Sequence, residues 1–297
     1  MKVVVLGAFG QLGSDLRVAL ARQDVVALGR ADFDVRDAAK ARAILGEIRP
    51  DAIVNTTAFH KVEACETEPE AAFGVNAVAA ASVARIAREL GARLVHVSTD
   101  YVFGGTDARP LSEDVPPAPV QVYGASKAAG EWLVQLAHPD ALIIRSSGLF
   151  GVVGAAGKGG NFIETVLRLA REHGEMRIVH DQVTSPTYTA DLAAAIVMLL
   201  ERGATGIMHV TNAGSCSWHD LAAHVVASTG LDARVHPITT RELGGTVRRP
   251  GYSALENARW REMGLPALRS WSRAVGAYLE AKHGITSERA GPRGARA

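Results

Sequence analysis

The chain has 297 residues, 47% of them hydrophobic, enough to bury one large α/β unit with a smaller appendage. Lys and Arg number 32 against 31 Asp and Glu, a formal charge of +1, and no basic stripe interleaves with aromatics, so nucleic acid is excluded as an expected partner. Two cysteines, Cys65 and Cys216, cannot build a disulfide framework; with no signal-peptide architecture and no apolar run long enough to span a bilayer, a cytoplasmic location without a membrane partner is expected.

Lys2-Val3-Val4-Val5-Leu6 is β-branched and apolar, the pattern of a buried parallel strand. Gly7 ends it, and Leu12, Leu16, Val18 and Leu20 suggest a helix with one apolar side. Between them lies Gly7-Ala8-Phe9-Gly10-Gln11-Leu12-Gly13. A tight strand-to-helix turn needs glycine where a β-carbon would block backbone or phosphate, and the helix start then offers free N–H groups to a pyrophosphate. The G-x-x-G-x-x-G spacing differs from the usual dinucleotide fingerprint. It resembles the extended, sugar-nucleotide branch of the short-chain dehydrogenase/reductase superfamily, which implies cofactor contacts from Gly7, Phe9, Gly10, Gln11, Leu12 and Gly13.

Val25–Leu28 reads as the second strand. An acid just after such a strand grips the ribose hydroxyls of NAD, whereas Arg suits the 2′-phosphate of NADP. Gly29-Arg30 follows here, and the first acids are Asp32 and Asp34, so Arg30 tilts the expectation toward NADPH over NADH. Asp34-Val35 resembles the family position on the adenine side. Ala52–Asn55 reads as the third strand, with Thr56, Thr57 and Ala58 at its carboxyl end, where such sheets bind ligands.

Residues 92–97 read as the fourth strand, ending in Ser98-Thr99-Asp100, and 121–137 as a helix carrying Tyr123 and Lys127. Their i, i+4 spacing puts both on one face. A free Tyr titrates near 10, too high for ready exchange near neutrality, and a nearby ammonium should lower it. Lys127 can also hold the nicotinamide ribose, Thr99 can hydrogen-bond a substrate carbonyl, and Tyr123 can protonate its oxygen while hydride reaches the carbon.

Residues 141–144 form another strand. Helices are expected over 161–173, 189–201, 217–229 and 271–282, with strands over 176–180 and 207–210. Alternation through residue 145 implies parallel βαβ units. The expected fold is α/β: a Rossmann-like doubly wound parallel sheet from 1–145 plus about 189–210, and a smaller, discontinuous α/β substrate domain from 146–188 plus about 211–283. The Gly-, Ala- and Arg-rich tail 284–297 is expected to be disordered.

Ser98-Thr99-Asp100-Tyr101-Val102-Phe103, Tyr123-Gly124-Ala125-Ser126-Lys127 and Asp181-Gln182-Val183-Thr184-Ser185-Pro186-Thr187, with Asn161-Phe162, Ser217-Trp218-His219-Asp220, Arg249-Pro250 and Ser253, resemble the dTDP-4-dehydrorhamnose reductase family over about 1–283. The resemblance implies reduction of the C4 ketone of dTDP-4-dehydro-L-rhamnose by NADPH or NADH. Thr99, Tyr123 and Lys127 match the catalytic trio, and Asn76 a position near the cofactor. Val62, Glu63, Thr99, Asp100, Tyr123, Gly148, Asn161 and Arg249 fall at the substrate site. Arg249 suits the diphosphate, since a guanidinium binds phosphate bidentately, and Arg248 is its equal by chemistry alone.

The chain departs from the family at Arg145-Ser146-Ser147-Gly148, where better-known members read Arg-Thr-Ser-Trp. Gly148 removes the ring, so the pocket should be wider or refilled from elsewhere, and residues 151–160 beside it could form a substrate lid. A related reductase of another 4-keto-6-deoxysugar therefore stays open, as does a regulatory NADP-binding subunit like the β subunit of methionine adenosyltransferase. Some members bind a cation through acids in stretches where Asp15 and Asp191 lie. Mg2+ is allowed by the resemblance but unsupported by two acids, so no metal site is assigned. Monomer and homodimer both stay open.

Overall fold

The computed structural model describes residues 1–105, 108–154 and 160–286; the tip of the 151–160 segment and most of the expected disordered tail lie outside the described residues. Six strands form one fully parallel sheet. Five are β1 (Lys2–Leu6), β2 (Asp24–Leu28), β3 (Ala52–Asn55), β4 (Arg93–Thr99) and β5 (Leu142–Ser146); the sixth is the edge strand Gly206–His209. The order across the sheet is β2, β1, β3, β4, β5, then Gly206–His209. The chain leaves β1 in one direction to β2 and returns on its other side to β3, so a crevice opens at the carboxyl ends of β1 and β3.

Successive side chains in each strand point to opposite faces, and both faces are covered. Val3, Val5, Val54, Val95 and Ile144 pack against Leu12 and Leu16 of α1 (Gln11–Ala19) and Leu192, Ile196 and Leu199 of the helix Thr189–Glu201. Val4, Leu6, Ile53, Leu94 and Ile143 pack against Ala41 and Leu45 of α2 (Ala38–Ile48) and Val83, Ala84 and Ala87 of the helix Ala80–Glu89. The helical run Pro69–Glu89 is, by length and composition, apolar enough to cross a membrane, contrary to the sequence reading. Its alanines line the core, and just over half of its most apolar stretch is buried.

A third cluster lies away from the sheet. Ile163, Val166 and Leu167 of the helix Phe162–His173, Leu221 and Val225 of Trp218–Thr229, and Val275, Tyr278 and Leu279 of Trp271–His283 close around Phe150 and Tyr188. We read this as the smaller lobe. Trp260 and Leu265 instead join the sheet-side cluster, so part of the segment expected in the substrate domain returns to the sheet. The strand Arg234–Ile238, which pairs in parallel with Glu175–Val179, was not anticipated. It is largely exposed and contains Pro237, so it shows no two-residue apolar period.

Candidate active site

A cleft of about 830 Å³ runs from the end of β1 past the end of β4 and into the smaller lobe. At the first end, Gly7 takes a positive φ of 79°. Its N–H and that of Ala8 both donate to the Leu28 carbonyl, at 2.9 and 3.1 Å, which ties the turn to β2. A β-carbon on Gly13 would lie 2.2 Å from the Gly7 carbonyl oxygen, so the first turn of α1 can approach the strand end only as glycine. Gly10 caps α1 with no side-chain hydrogen bond. The N–H groups of Gly7, Ala8 and Gly10 are spent within the fold, which leaves the first N–H groups of α1 for a ligand in this glycine cradle, lined by Gly7, Phe9, Gly10, Gln11, Leu12 and Gly13. The buried Gln11 Oε1 has no hydrogen-bond partner among the described residues. The glycine turn and the helix start fit a dinucleotide pyrophosphate.

Arg30, Asp34 and Val35 line the same end. Asp32 turns back to accept from Gly29 N–H at 2.7 Å. Asp34 is held by Arg36 through a fork of hydrogen bonds of 2.6–3.1 Å, which keeps its carboxyl down at about 2. Thr56, Thr57 and Ala58 line the cleft, but both threonine hydroxyls are committed: Thr56 donates to the Leu6 carbonyl at 2.8 Å and Thr57 to Asn55 Oδ1 at 2.7 Å. Asn76 does not line the cleft. A π-helical turn, Gly74–Ala79, points its amide inward, where it binds both the N–H and the carbonyl of Phe59, at 2.8 and 3.0 Å, and the Ser126 hydroxyl at 2.9 Å. It ties the cleft wall at Phe59 to Ser126 of the helix Val122–Ala137.

In the middle of the cleft the fold brings Thr99, Tyr123 and Lys127 together. Thr99 ends β4 and accepts from Tyr101 N–H at 3.2 Å, starting a short 3-10 turn. The helix Val122–Ala137 is capped by Gln121, whose side chain accepts from Gly124 N–H at 2.5 Å. Its first turn seats against the Tyr101 carbonyl so closely that a β-carbon on Gly124 would lie 2.0 Å from it. This fixes Tyr123 beside Thr99, whose side chain hydrogen-bonds the phenol.

The expected lowering of the phenol by Lys127 is not what the folded chain delivers. Burial pushes Tyr123 above its ordinary 10, and the Thr99 hydrogen bond opposes this only in part. Lys127 is fully buried, donates to the Val97 carbonyl at 2.7 Å and sits 3.3 Å from His96 Nε2. Burial pushes its ammonium down to about 8, with Glu131 opposing.

Toward the smaller lobe, Asp100 is buried under three hydroxyls: Ser253 and Ser147 donate at 2.6 and 2.8 Å and Thr99 at 3.1 Å. Burial nevertheless pushes its carboxyl up to about 6. Asp100 thus knots the end of β4 to the segment after β5 and to the C-terminal loop. Val62 and Glu63 line the opposite wall, and Glu63 forms an ion pair with Arg249, which also hydrogen-bonds Tyr101.

Asn161 lines the cleft but its amide is engaged. It caps the helix Phe162–His173 through Glu164 N–H at 3.1 Å and donates to Gly151 O and the Tyr278 hydroxyl, each at 3.1 Å. Gly148 has φ +53°, and a β-carbon there would point at Pro186 Cα, 3.2 Å away. Aromatic surface in the cleft comes from Phe162 and Trp218, whose rings lie 4.7 Å apart. Both residues stand in quoted motifs, but nothing in the sequence announced that they share the cleft wall. No cluster of three metal-ligating side chains occurs among the described residues. Asp15 accepts from Thr189 at 2.5 Å, and Asp191 binds Asn212 and Arg269.

The model of the RmlD substrate binding domain matches residues 1–283. The chain belongs to the dTDP-4-dehydrorhamnose reductase family. It is 37% identical over 294 residues to a dTDP-4-dehydrorhamnose reductase of Mycobacterium tuberculosis, covering 96% of this chain and 95% of that one. It is 40% identical over 277 residues to a dTDP-4-keto-6-deoxy-D-glucose reductase of Streptomyces niveus, covering 92% and 94%. The crystal structure of a dTDP-4-dehydrorhamnose reductase from Bacillus anthracis in complex with NADP superposes with a TM-score of 0.90, at 35% identity over 94% of this chain and 99% of that one. This chain is accordingly a nicotinamide-dependent oxidoreductase of that family's type, and the residues of the glycine cradle are those that would hold the dinucleotide.

Proposed function

We propose that the protein reduces the C4 ketone of dTDP-4-dehydro-L-rhamnose to give dTDP-L-rhamnose. The observation that carries this is the meeting of Thr99, Tyr123 and Lys127 in the same cleft as the glycine cradle. Bound in that cleft, a reduced nicotinamide supplies the hydride. Tyr123 holds the ketone oxygen by a hydrogen bond, and Thr99 joins it by turning its hydroxyl from Asp100 to the ketone. Burial keeps Tyr123 an acid, so it retains its proton until the oxygen turns into a strongly basic alkoxide, and then gives it up. Lys127, whose Nζ donates to the Val97 carbonyl, is the side chain placed to hold the nicotinamide ribose beside the reacting centre.

Arg30 at the cleft, with Asp32 turned away onto Gly29, supports NADPH over NADH. Arg249 is the guanidinium for the sugar-nucleotide diphosphate, which would compete with Glu63 for it. Gly148 supports a second reading, a ketosugar other than dehydrorhamnose. Its left-handed backbone directs any side chain at Pro186, and no ring stands at this position, where better-known members of the family read Trp.

The test is NADPH and NADH oxidation with enzymatically generated dTDP-4-dehydro-L-rhamnose. Turnover to a single dTDP-L-rhamnose product supports the first reading and ranks the cofactors. Turnover only with another dTDP-4-keto-6-deoxysugar supports the second. Cofactor binding without turnover of either refutes both.

A further inference from the structure

Beneath the trio, a chain of buried hydrogen bonds favours one assignment of protons. It begins at Thr57, whose backbone N–H and hydroxyl both donate to Asn55 Oδ1, at 3.1 and 2.7 Å. A backbone N–H cannot accept, so the Asn55 amide is locked with its oxygen toward Thr57 and its NH2 toward β4. That NH2 lies 3.3 Å from His96 Nδ1. Nδ1 must therefore be the accepting nitrogen, and the ring proton sits on Nε2. Nε2 in turn faces Lys127 Nζ at 3.3 Å. His96 is 1% exposed, and burial together with Lys127 pushes its imidazolium well below the ordinary range, so the ring is neutral.

We propose that His96 is a positioning residue for Lys127: it holds an N–H rather than a lone pair against the lysine and so favours the uncharged amine. An ammonium cannot accept that N–H, whereas the free amine can, while still donating to the Val97 carbonyl. The other groups facing Lys127 do not undo this. Glu131, one turn along the same helix, is committed to Arg145 at 2.6 Å and to Ser98 at 2.5 Å. Tyr123, one turn back, is a protonated phenol. On β4 the facing groups are His96 and the Val97 carbonyl, and on β3 Asn55 is engaged with Thr57 and His96. The lysine is thereby poised to exchange its proton in the working pH range. That consequence rests on the reductase reading above, whereas the tautomer and the lysine titration do not depend on it.

The first measurement is ¹⁵N NMR of histidine-labelled protein. His96 is expected as the Nε2–H tautomer from about pH 6 to about pH 9; an Nδ1–H ring overturns the proposal. The second follows the Lys127 side chain by NMR, assigned with Lys127→Met, in two variants. His96→Gln can turn a carbonyl oxygen to the lysine. Asn55→Asp accepts from Nδ1–H and reverses the tautomer without touching His96. In each, the Lys127 titration is expected to move up by roughly one pH unit, and the basic limb of kcat/KM to move with it. Melting temperature and cofactor affinity report whether each variant is folded. A folded variant whose Lys127 titration stays put overturns the proposal. If neither variant folds, the wild-type tautomer alone decides. Shifted titrations with no turnover on any ketosugar would uphold the tautomer while refuting the reductase reading.

Discussion

Replacing Asp100 by Asn should stabilise the protein near neutral pH and leave it unchanged in acid. Asp100 is 3% exposed and accepts from Ser253, Ser147 and Thr99. Those three hydrogen bonds do not offset the loss of water, and its carboxyl rises from 3.8 to about 6. Because the folded value is the higher one, the contribution of this group is fully present below about 3.8, where it is protonated in both states. It is lost as pH rises through about 6. The gap amounts to on the order of 3 kcal/mol above that range. An asparagine carries no charge to desolvate. Its oxygen can accept from Ser147 and Ser253, and its NH2 can donate to Thr99 Oγ1, so no buried polar atom is orphaned. Urea unfolding of wild type and Asp100→Asn at about pH 4, 6 and 7.5 reads the difference, provided the denaturant slopes agree. The variant should match wild type at the lowest pH and exceed it by about 1–3 kcal/mol at the highest. A difference independent of pH, or a variant less stable at pH 7.5, would refute the reasoning.

Tyr123→Phe removes only the phenol oxygen and should cut kcat by roughly 10²–10⁴-fold while leaving the Kd for NADPH within about threefold; retained turnover would remove Tyr123 as the acid. Gly13→Ala drives a methyl to within 2.2 Å of the Gly7 carbonyl, so it should cost about 1–3 kcal/mol of stability and weaken NADPH binding, read by thermal melting and fluorescence titration. Arg145→Leu strands the buried Glu131 carboxylate, whose strongest partner is the 2.6 Å ion pair. It should cost about 3–5 kcal/mol, and adding Glu131→Leu should recover part of that loss in a double-mutant cycle.

The parts of this site that recur at fixed spacing along the chain were legible in the sequence. The glycine turn, the strand ends at Thr56 and Thr99 and the Tyr123–Lys127 pair are all local devices. Their spacing encodes backbone geometry directly, because a turn without Cβ or an i, i+4 face does not depend on distant residues. The buried strands were legible too, since a sheet covered on both faces requires continuous apolar runs. Arg234–Ile238 was not, because its faces are mostly exposed and leave no such record. Asn76 could be placed near the cofactor by its motif, but only the π-helical turn shows that its amide is spent on Phe59 and Ser126.

By itself the sequence determined the order of the sheet's strands, the glycine turn and which three side chains share the cleft. Only the tertiary structure decided what state those side chains are in. Proximity in sequence suggested that Lys127 would lower Tyr123, whereas burial from all sides raises the phenol and turns the lysine toward Val97 and His96. Asp100 became a knot because Ser147 and Ser253, respectively 47 and 153 residues away in the chain, arrive over it. Protonation depends on the sum of desolvation and of partners from the whole fold, and that sum exists only once the chain has closed around the group.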